Sequence, residues 1–160
     1  MQSLRDARSI LVLCTGNVTR SVFASQLLSA ALEGTEAVSI RSAGLETVPG
    51  WRAHPRAVAR CAALNIDLRG HASVAVTAAM VAAADVVLVM EVSQAVVVSR
   101  RFPRARRKTF LLSCLEPDVP LDIADPAGKD DATTDACLDH IARALKPVIG
   151  LMSERSTVTP

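Results

Sequence analysis

Ile10-Leu11-Val12-Leu13-Cys14-Thr15-Gly16-Asn17-Val18-Thr19-Arg20-Ser21 decides the fold of this 160-residue chain. The four leading apolar residues read as a short buried strand, and Gly16-Asn17 then turns the chain. From Arg20 to Leu32, the residues Val22, Phe23, Leu27, Leu28 and Ala31 are spaced as on one helix. Cys14 therefore ends a strand and Arg20 opens a helix. Between them Thr15, Gly16, Asn17, Val18 and Thr19 can turn their backbone N–H groups toward one spot. Such a nest at a helix N-terminus binds a dianionic phosphate, because unpaired N–H groups and the helix dipole both favour negative charge. The same field favours a thiolate at Cys14. The stretch reads as a phosphate-cleaving thiolate site.

Cys-x5-Arg alone is weak. Arg is about one residue in twenty, so four cysteines give roughly a one-in-five chance of a match. The chain supplies its own control, because Cys137 to Arg143 has the same spacing. The residues between, Leu138-Asp139-His140-Ile141-Ala142, contain no Gly and continue a helical pattern, no strand precedes them, and Asp139 would repel a phosphate. Context separates the two.

Half the residues are apolar but only 2% are aromatic, so Ala, Val and Leu must pack the core. One domain spanning 1–160 is expected. A net charge of +2 argues neither for nor against a nucleic-acid partner, and none is expected. The four scattered cysteines form neither a disulfide framework nor a Cys-x2-Cys metal pair, which points to the cytoplasm. Arg5 and Arg8 precede an apolar run of only five residues, too short for a secretion signal. The apolar stretch 72–90 is broken by Ser73, Thr77 and Asp85, and reads as a helix near 77–83 followed by a strand at 85–90 rather than a membrane span.

The remaining pattern alternates strands and helices. A strand at 9–14 and a helix at 20–32 ended by Gly34 are followed by a strand at 38–41 and a turn at Ser42-Ala43-Gly44. A loop at 45–53 leads to a helix from His54-Pro55 to Leu64. Beyond the strand at 85–90 come a helix at 93–101, a strand at 108–112, a Pro- and Asp-rich loop at 116–131, and a helix at 133–152 that Pro147 should kink or end. This order predicts an α/β fold, a doubly wound four-stranded parallel sheet with helices on both faces. Ligands of such sheets bind beyond the carboxyl ends of the strands, where Cys14 falls.

The chemistry suggests roles. Arg20 would hold two phosphate oxygens through its planar fork. Asn17 tolerates a left-handed backbone and can hold the loop's shape, and Ser21 could donate its hydroxyl to the Cys14 sulfur. Cleaving a phosphate monoester also needs a proton for the leaving oxygen. The acidic loop offers Asp118, Asp122, Asp125, Asp130 and Asp131. Asp125 is preferred because Pro126 fixes the backbone beside it.

The segment from Val12 to Ser21 resembles the signature of the low-molecular-weight protein tyrosine phosphatases. Arg41-Ser42-Ala43-Gly44, His54-Pro55-Arg56-Ala57, Ala84 to Met90 and Asp125-Pro126 follow in the family's order. The resemblance covers roughly residues 8–146. It implies a two-step reaction through a phosphocysteine, with Cys14 as nucleophile, Asp125 as general acid, and neither metal nor cofactor. The chain departs from the pattern at several positions. Thr19 stands where the family usually has a second Cys, Val22 replaces the usual Pro, and Ser25 replaces the Glu. Ala127-Gly128 replace the aromatics after Asp-Pro. The wall aromatic falls near Thr47, with Trp51 four residues on.

The expected function is hydrolysis of a phosphorylated protein or small phosphomonoester. Arsenate reduction on the same scaffold, or phosphate binding with little turnover, are the alternatives. His54, His71 and His140 show no metal-ligand spacing, so no metal is expected. Residues 100–108 hold six cations that either form a solvated loop or dock an acidic partner.

Overall fold

The computed structural model describes residues 2–34, 38–117 and 120–154. Four strands, β1 (Ser9–Cys14), β2 (Ser39–Gly44), β3 (Val86–Val89) and β4 (Thr109–Leu111), pair in parallel in the order β2-β1-β3-β4. Alternation along the strands makes two cores. Ile10, Val12, Cys14, Val86 and Leu88 face one layer of helices, α1 (Gln2–Arg5), α2 (Arg20–Ala31), α3 (Pro55–Ala62) and α6 (Asp131–Ser153). Leu11, Leu13, Val87 and Val89 face α4 (Ala78–Ala83), α5 (Val92–Arg101) and a 3-10 helix, Pro103–Lys108. With few rings to bury, the packing rests on aliphatic side chains worth about 1.5–3 kcal/mol each when fully buried. The doubly wound sheet is the one expected.

Strand order positions the site. The chain leaves β1 for β2 on one side and reaches β3 on the other, so the crevice beyond Cys14 is the switch point of the sheet.

Several boundaries differ from the expectation. Ser42-Ala43-Gly44 is not a turn. These residues extend β2 and pair with Val12, Leu13 and Cys14, because a central parallel strand can be paired to its end even by small residues. Two short elements, α1 and the 3-10 helix, carry too few residues to show a period. The stretch 72–90 divides into α4 and β3 as expected, and among the described residues no helix is long and apolar enough to cross a membrane. α6 does not end at Pro147. Leu145, Val148 and Met152 stay buried on both sides of it, and that packing outweighs the one missing hydrogen bond.

Gly44 ties β2 to the loop after β1. A Cβ there would meet the Thr15 carbonyl oxygen at 2.8 Å and the Thr47 Cγ2 at 2.8 Å. Gly44→Ala should therefore cost about 1–3 kcal/mol, read as a lower urea midpoint, since neither backbone nor β-branched side chain can yield cheaply. Gly70→Ala, whose Cβ would meet nothing within 4 Å, should stay within about 0.5 kcal/mol of the parent.

Candidate active site

The loop after β1 is held by its carbonyls. Leu45 N donates to Cys14 O (2.8 Å), Glu46 N to Thr15 O (2.9 Å), and Thr47 Oγ1 to Gly16 O (2.8 Å). His71 Nε2 bonds Asn17 O (2.8 Å), His54 N donates to Val18 O (2.9 Å), and Phe23 N to Thr19 O (3.1 Å). With every carbonyl from Cys14 to Thr19 turned outward, the amides of the loop face inward. Those of Gly16, Val18 and Thr19 have no protein acceptor among the described residues. Thr19, the residue before α2, makes no side-chain cap, so that helix end is also open to an anion.

Asn17 locks this shape. Its φ is +53°, in the left-handed region that Asn tolerates. Its buried amide donates to Ser21 Oγ and Ser42 Oγ, each at 3.0 Å, and accepts from Val74 N at 3.0 Å. Cys14 Sγ lies 3.0 Å from Ser21 Oγ and accepts from Asn17 N at 3.2 Å. Because the Ser21 oxygen already accepts from Asn17, its one proton is free to point at the sulfur.

Arg20 is 1% exposed and carries two carboxylates. Nη1 pairs with Glu91 and donates to Ile123 O at 2.9 Å, while Nη2 pairs with Asp125 and reaches Thr15 Oγ1 at 3.3 Å. Breaking up a buried guanidinium's pairs costs several kcal/mol, so its fork is held in one place. Gln94 braces the group, accepting from Met90 N at 2.9 Å and donating to Thr15 Oγ1 at 3.3 Å.

The acidic loop divides by task. Asp122 accepts from Val92 N at the start of α5 (2.8 Å), and Asp130 caps α6 through Thr133 N (2.8 Å), which lowers the Asp130 pKa. Asp131 faces Arg56 at 3.6 Å. Asp118 lies outside the described residues. Asp125 alone of the described four reaches the loop's Arg. Its Oδ1 accepts from Ala127 N (3.1 Å).

Above the sulfur opens a pocket of about 640 Å³, walled by Thr15, Gly16, Val18 and Thr19 below and by Glu46, Thr47, Val48, Trp51, His54, Ala127 and Gly128 above. Trp51 stands on its rim, 61% exposed. No cluster of three or more His, Cys, Asp or Glu suited to a metal occurs among the described residues.

Residues 9–156 match the family described as low molecular weight phosphotyrosine protein phosphatase. The chain belongs to that family. It is 36% identical over 138 residues to the probable low molecular weight protein-tyrosine-phosphatase EpsP of Ralstonia nicotianae, covering 86% of this chain and 91% of that protein. The tyrosine phosphatase Wzb from Escherichia coli K30, solved with sulphate, superposes with a TM-score of 0.81 at 31% identity, over 90% of this chain and 97% of Wzb. A protein-arginine-phosphatase of Bacillus subtilis is 35% identical over 121 residues, 74% of this chain and 79% of that one.

As a low molecular weight phosphatase the chain shows parts that motif reading missed. Ser42, Thr47 and His71 hold the loop, Glu91 holds Arg20, and Gln94 braces Thr15 and Glu91 beside it. The sequence marks His71 only as a metal-ligand candidate, and one without ligand spacing. Glu91 follows the apolar run of β3 directly, and an acid at the carboxyl end of a strand beside β1 was the available signal.

Asn17→Ala should cost about 1–3 kcal/mol and slow turnover more than it raises KM. It removes three side-chain bonds from a buried network and leaves partners unpaired. Urea denaturation with steady-state kinetics checks both, and unchanged kinetics would remove Asn17 from the support of the loop.

Proposed function

We propose that this chain hydrolyses phosphomonoesters on proteins through a phosphocysteine, with Cys14 as nucleophile, Arg20 and the loop amides as oxyanion holders, and Asp125 as general acid. The observation that carries the reading is the Cys14 sulfur at the floor of a nest whose carbonyls are all bonded outward. The phosphoryl oxygens enter among the amides of Thr15 to Arg20. Their charge competes with the Asp125 carboxylate for Arg20 Nη2, while Glu91 and the Ile123 carbonyl keep Nη1 in place.

Attack by the thiolate forms the S–P bond as the ester P–O bond breaks, and protonated Asp125 gives its proton to the leaving oxygen. The Ser21 hydroxyl stabilises the sulfur's charge on entry and again on departure. Asp125, now a carboxylate, takes a proton from water as it attacks phosphorus and frees the thiolate and phosphate. Neither metal nor cofactor has a part in these steps. Four free thiols suit a reducing compartment, and we place the reaction in the cytoplasm.

Arsenate reduction would need a relay of reactive thiols. Burial pushes both Cys61 and Cys137 up to about 11, keeping them protonated and poor nucleophiles at neutral pH.

The test is turnover on phosphotyrosine, phosphoserine and phosphoarginine peptides and a small aryl phosphate. Cys14→Ser should abolish it while still binding phosphate, seen as a higher Tm. Asp125→Ala should slow esters of weakly acidic alcohols by about 10²–10⁴ and spare those with acidic leaving groups, which depart unaided. Equal losses on both kinds would take the acid role from Asp125. Phosphate binding with no turnover on any substrate would leave only a binding module.

Thr19 predicts the response to oxidant. Its hydroxyl cannot trap a sulfenic acid as a disulfide. Mild peroxide should therefore leave Cys14 with added oxygen rather than an internal disulfide, and Thr19→Cys should restore recovery by dithiothreitol. Peptide mass analysis with and without reductant decides. A disulfide between Cys14 and Cys61, Cys114 or Cys137 in the parent would overturn the prediction.

A further inference from the structure

Six of the chain's 18 Lys and Arg fall in residues 100–108, which contain no acid. The remaining 12 stand against 16 Asp and Glu, so this segment is basic within an otherwise net acidic chain. Two of the six serve the fold. Arg101 donates to Leu45 O at 2.7 Å and lies over the Phe102 ring, and Lys108 donates to the carbonyls of Ala82 and Ala84 at the end of α4. Arg100, Arg104, Arg106 and Arg107 are exposed and meet no carboxylate among the described residues. Elsewhere Arg5, Arg20, Arg56, Arg60 and Arg69 have carboxylate partners, whereas Arg41, Arg52 and Arg143 stand apart in the sequence and meet none among the described residues. Crowded like charges without counter-charges cost stability, so their joint placement asks for an external anion.

A track joins this face to the active site. α5 begins beside Glu91, the partner of Arg20, and Val92, Val96 and Arg100 follow at four-residue intervals along one stripe. Val92 and Val96 are 48% and 44% exposed, and with Arg100, Pro103 and Arg106 they line a shallow groove. The ten residues of α5 span about 15 Å, so Arg100 near its end lies about that far from Glu91, the partner of Arg20. An extended peptide covers that distance in about five residues.

We propose that this groove docks an acidic segment of the phosphoprotein substrate, about five to eight residues from the phosphorylated side chain. Its apolar positions would lie on Val92 and Val96, and its carboxylates on Arg100 and Arg106, the two cations that line the groove. The inference rests on the hydrolase reading above. A small phosphomonoester does not reach the groove, so it reports on that reading alone.

The experiment compares phosphotyrosine peptides extended on either side by four Glu or four Gln, beginning five residues from the phosphotyrosine. On one side, kcat/KM for the Glu peptide should exceed that for its Gln counterpart by about 10-fold at low salt, mainly through KM. The preference should vanish near 1 M salt, where the screening length is about 3 Å. It should vanish also in the R100Q/R106Q variant, with aryl phosphate turnover unchanged. Equal kcat/KM for Glu and Gln peptides, with aryl phosphate turnover intact, would overturn the docking surface. Should aryl phosphate not be hydrolysed, the hydrolase reading fails, and fluorescence anisotropy of the labelled peptides on Cys14→Ser protein still reads docking. There too, equal binding of Glu and Gln peptides overturns it. Tighter binding of anionic vesicles or duplex DNA than of the Glu peptide would assign the face to another partner.

Discussion

Six consecutive outward carbonyls, from Cys14 to Thr19, are the constraint on which the rest of the structure depends. A backbone loop can aim its amides at one point only if its carbonyls find donors on the other side. A buried carbonyl left unpaired costs about 1–3 kcal/mol. Here the donors come from the segment after β2, from the start of α3, from His71 and from α2 itself. Five of the six bonds come from residues at least 31 positions further along the chain, so the loop takes this shape only in the folded protein. Gly44 belongs to the same constraint, because β2 must approach Thr15 closely enough for Leu45 and Glu46 to donate.

Arg20 supplies the charge that the amides lack. Burying a lone guanidinium would be prohibitive, and two carboxylates make it tolerable. They are not equivalent. Glu91 sits at the base of α5, braced by Gln94, whereas Asp125 rides on a more exposed loop and touches the fork from the pocket side. In the proposed reaction a bound phosphoryl group would take the place of the second without disturbing the first. The ion pair with Arg20 thus holds Asp125, the general acid proposed above, beside the loop.

The strand, loop and helix that begin the fold were legible because their signals are local: an apolar run, Gly-Asn, then helical spacing. The left-handed Asn17 follows from the same stretch. The end of β2 was not legible, since Ser42-Ala43-Gly44 carries turn residues and only pairing with β1 makes it a strand. Nor could sequence spacing show Glu91 on Arg20, 71 positions away, because that contact depends on β3 lying beside β1. Thr47 and His71 escaped for a like reason. They act on backbone carbonyls, which no side-chain motif marks.

The central claim is that the sulfur of Cys14 carries the phosphoryl group between the two steps. Rapid acid quench during turnover of an aryl phosphate, followed by peptide mass analysis, tests it most directly. The account predicts one phosphoryl group on the peptide containing Cys14, located on the sulfur and absent from Cys14→Ser. A phosphoryl group on another side chain of the turning-over parent, or steady turnover by Cys14→Ser, would contradict it.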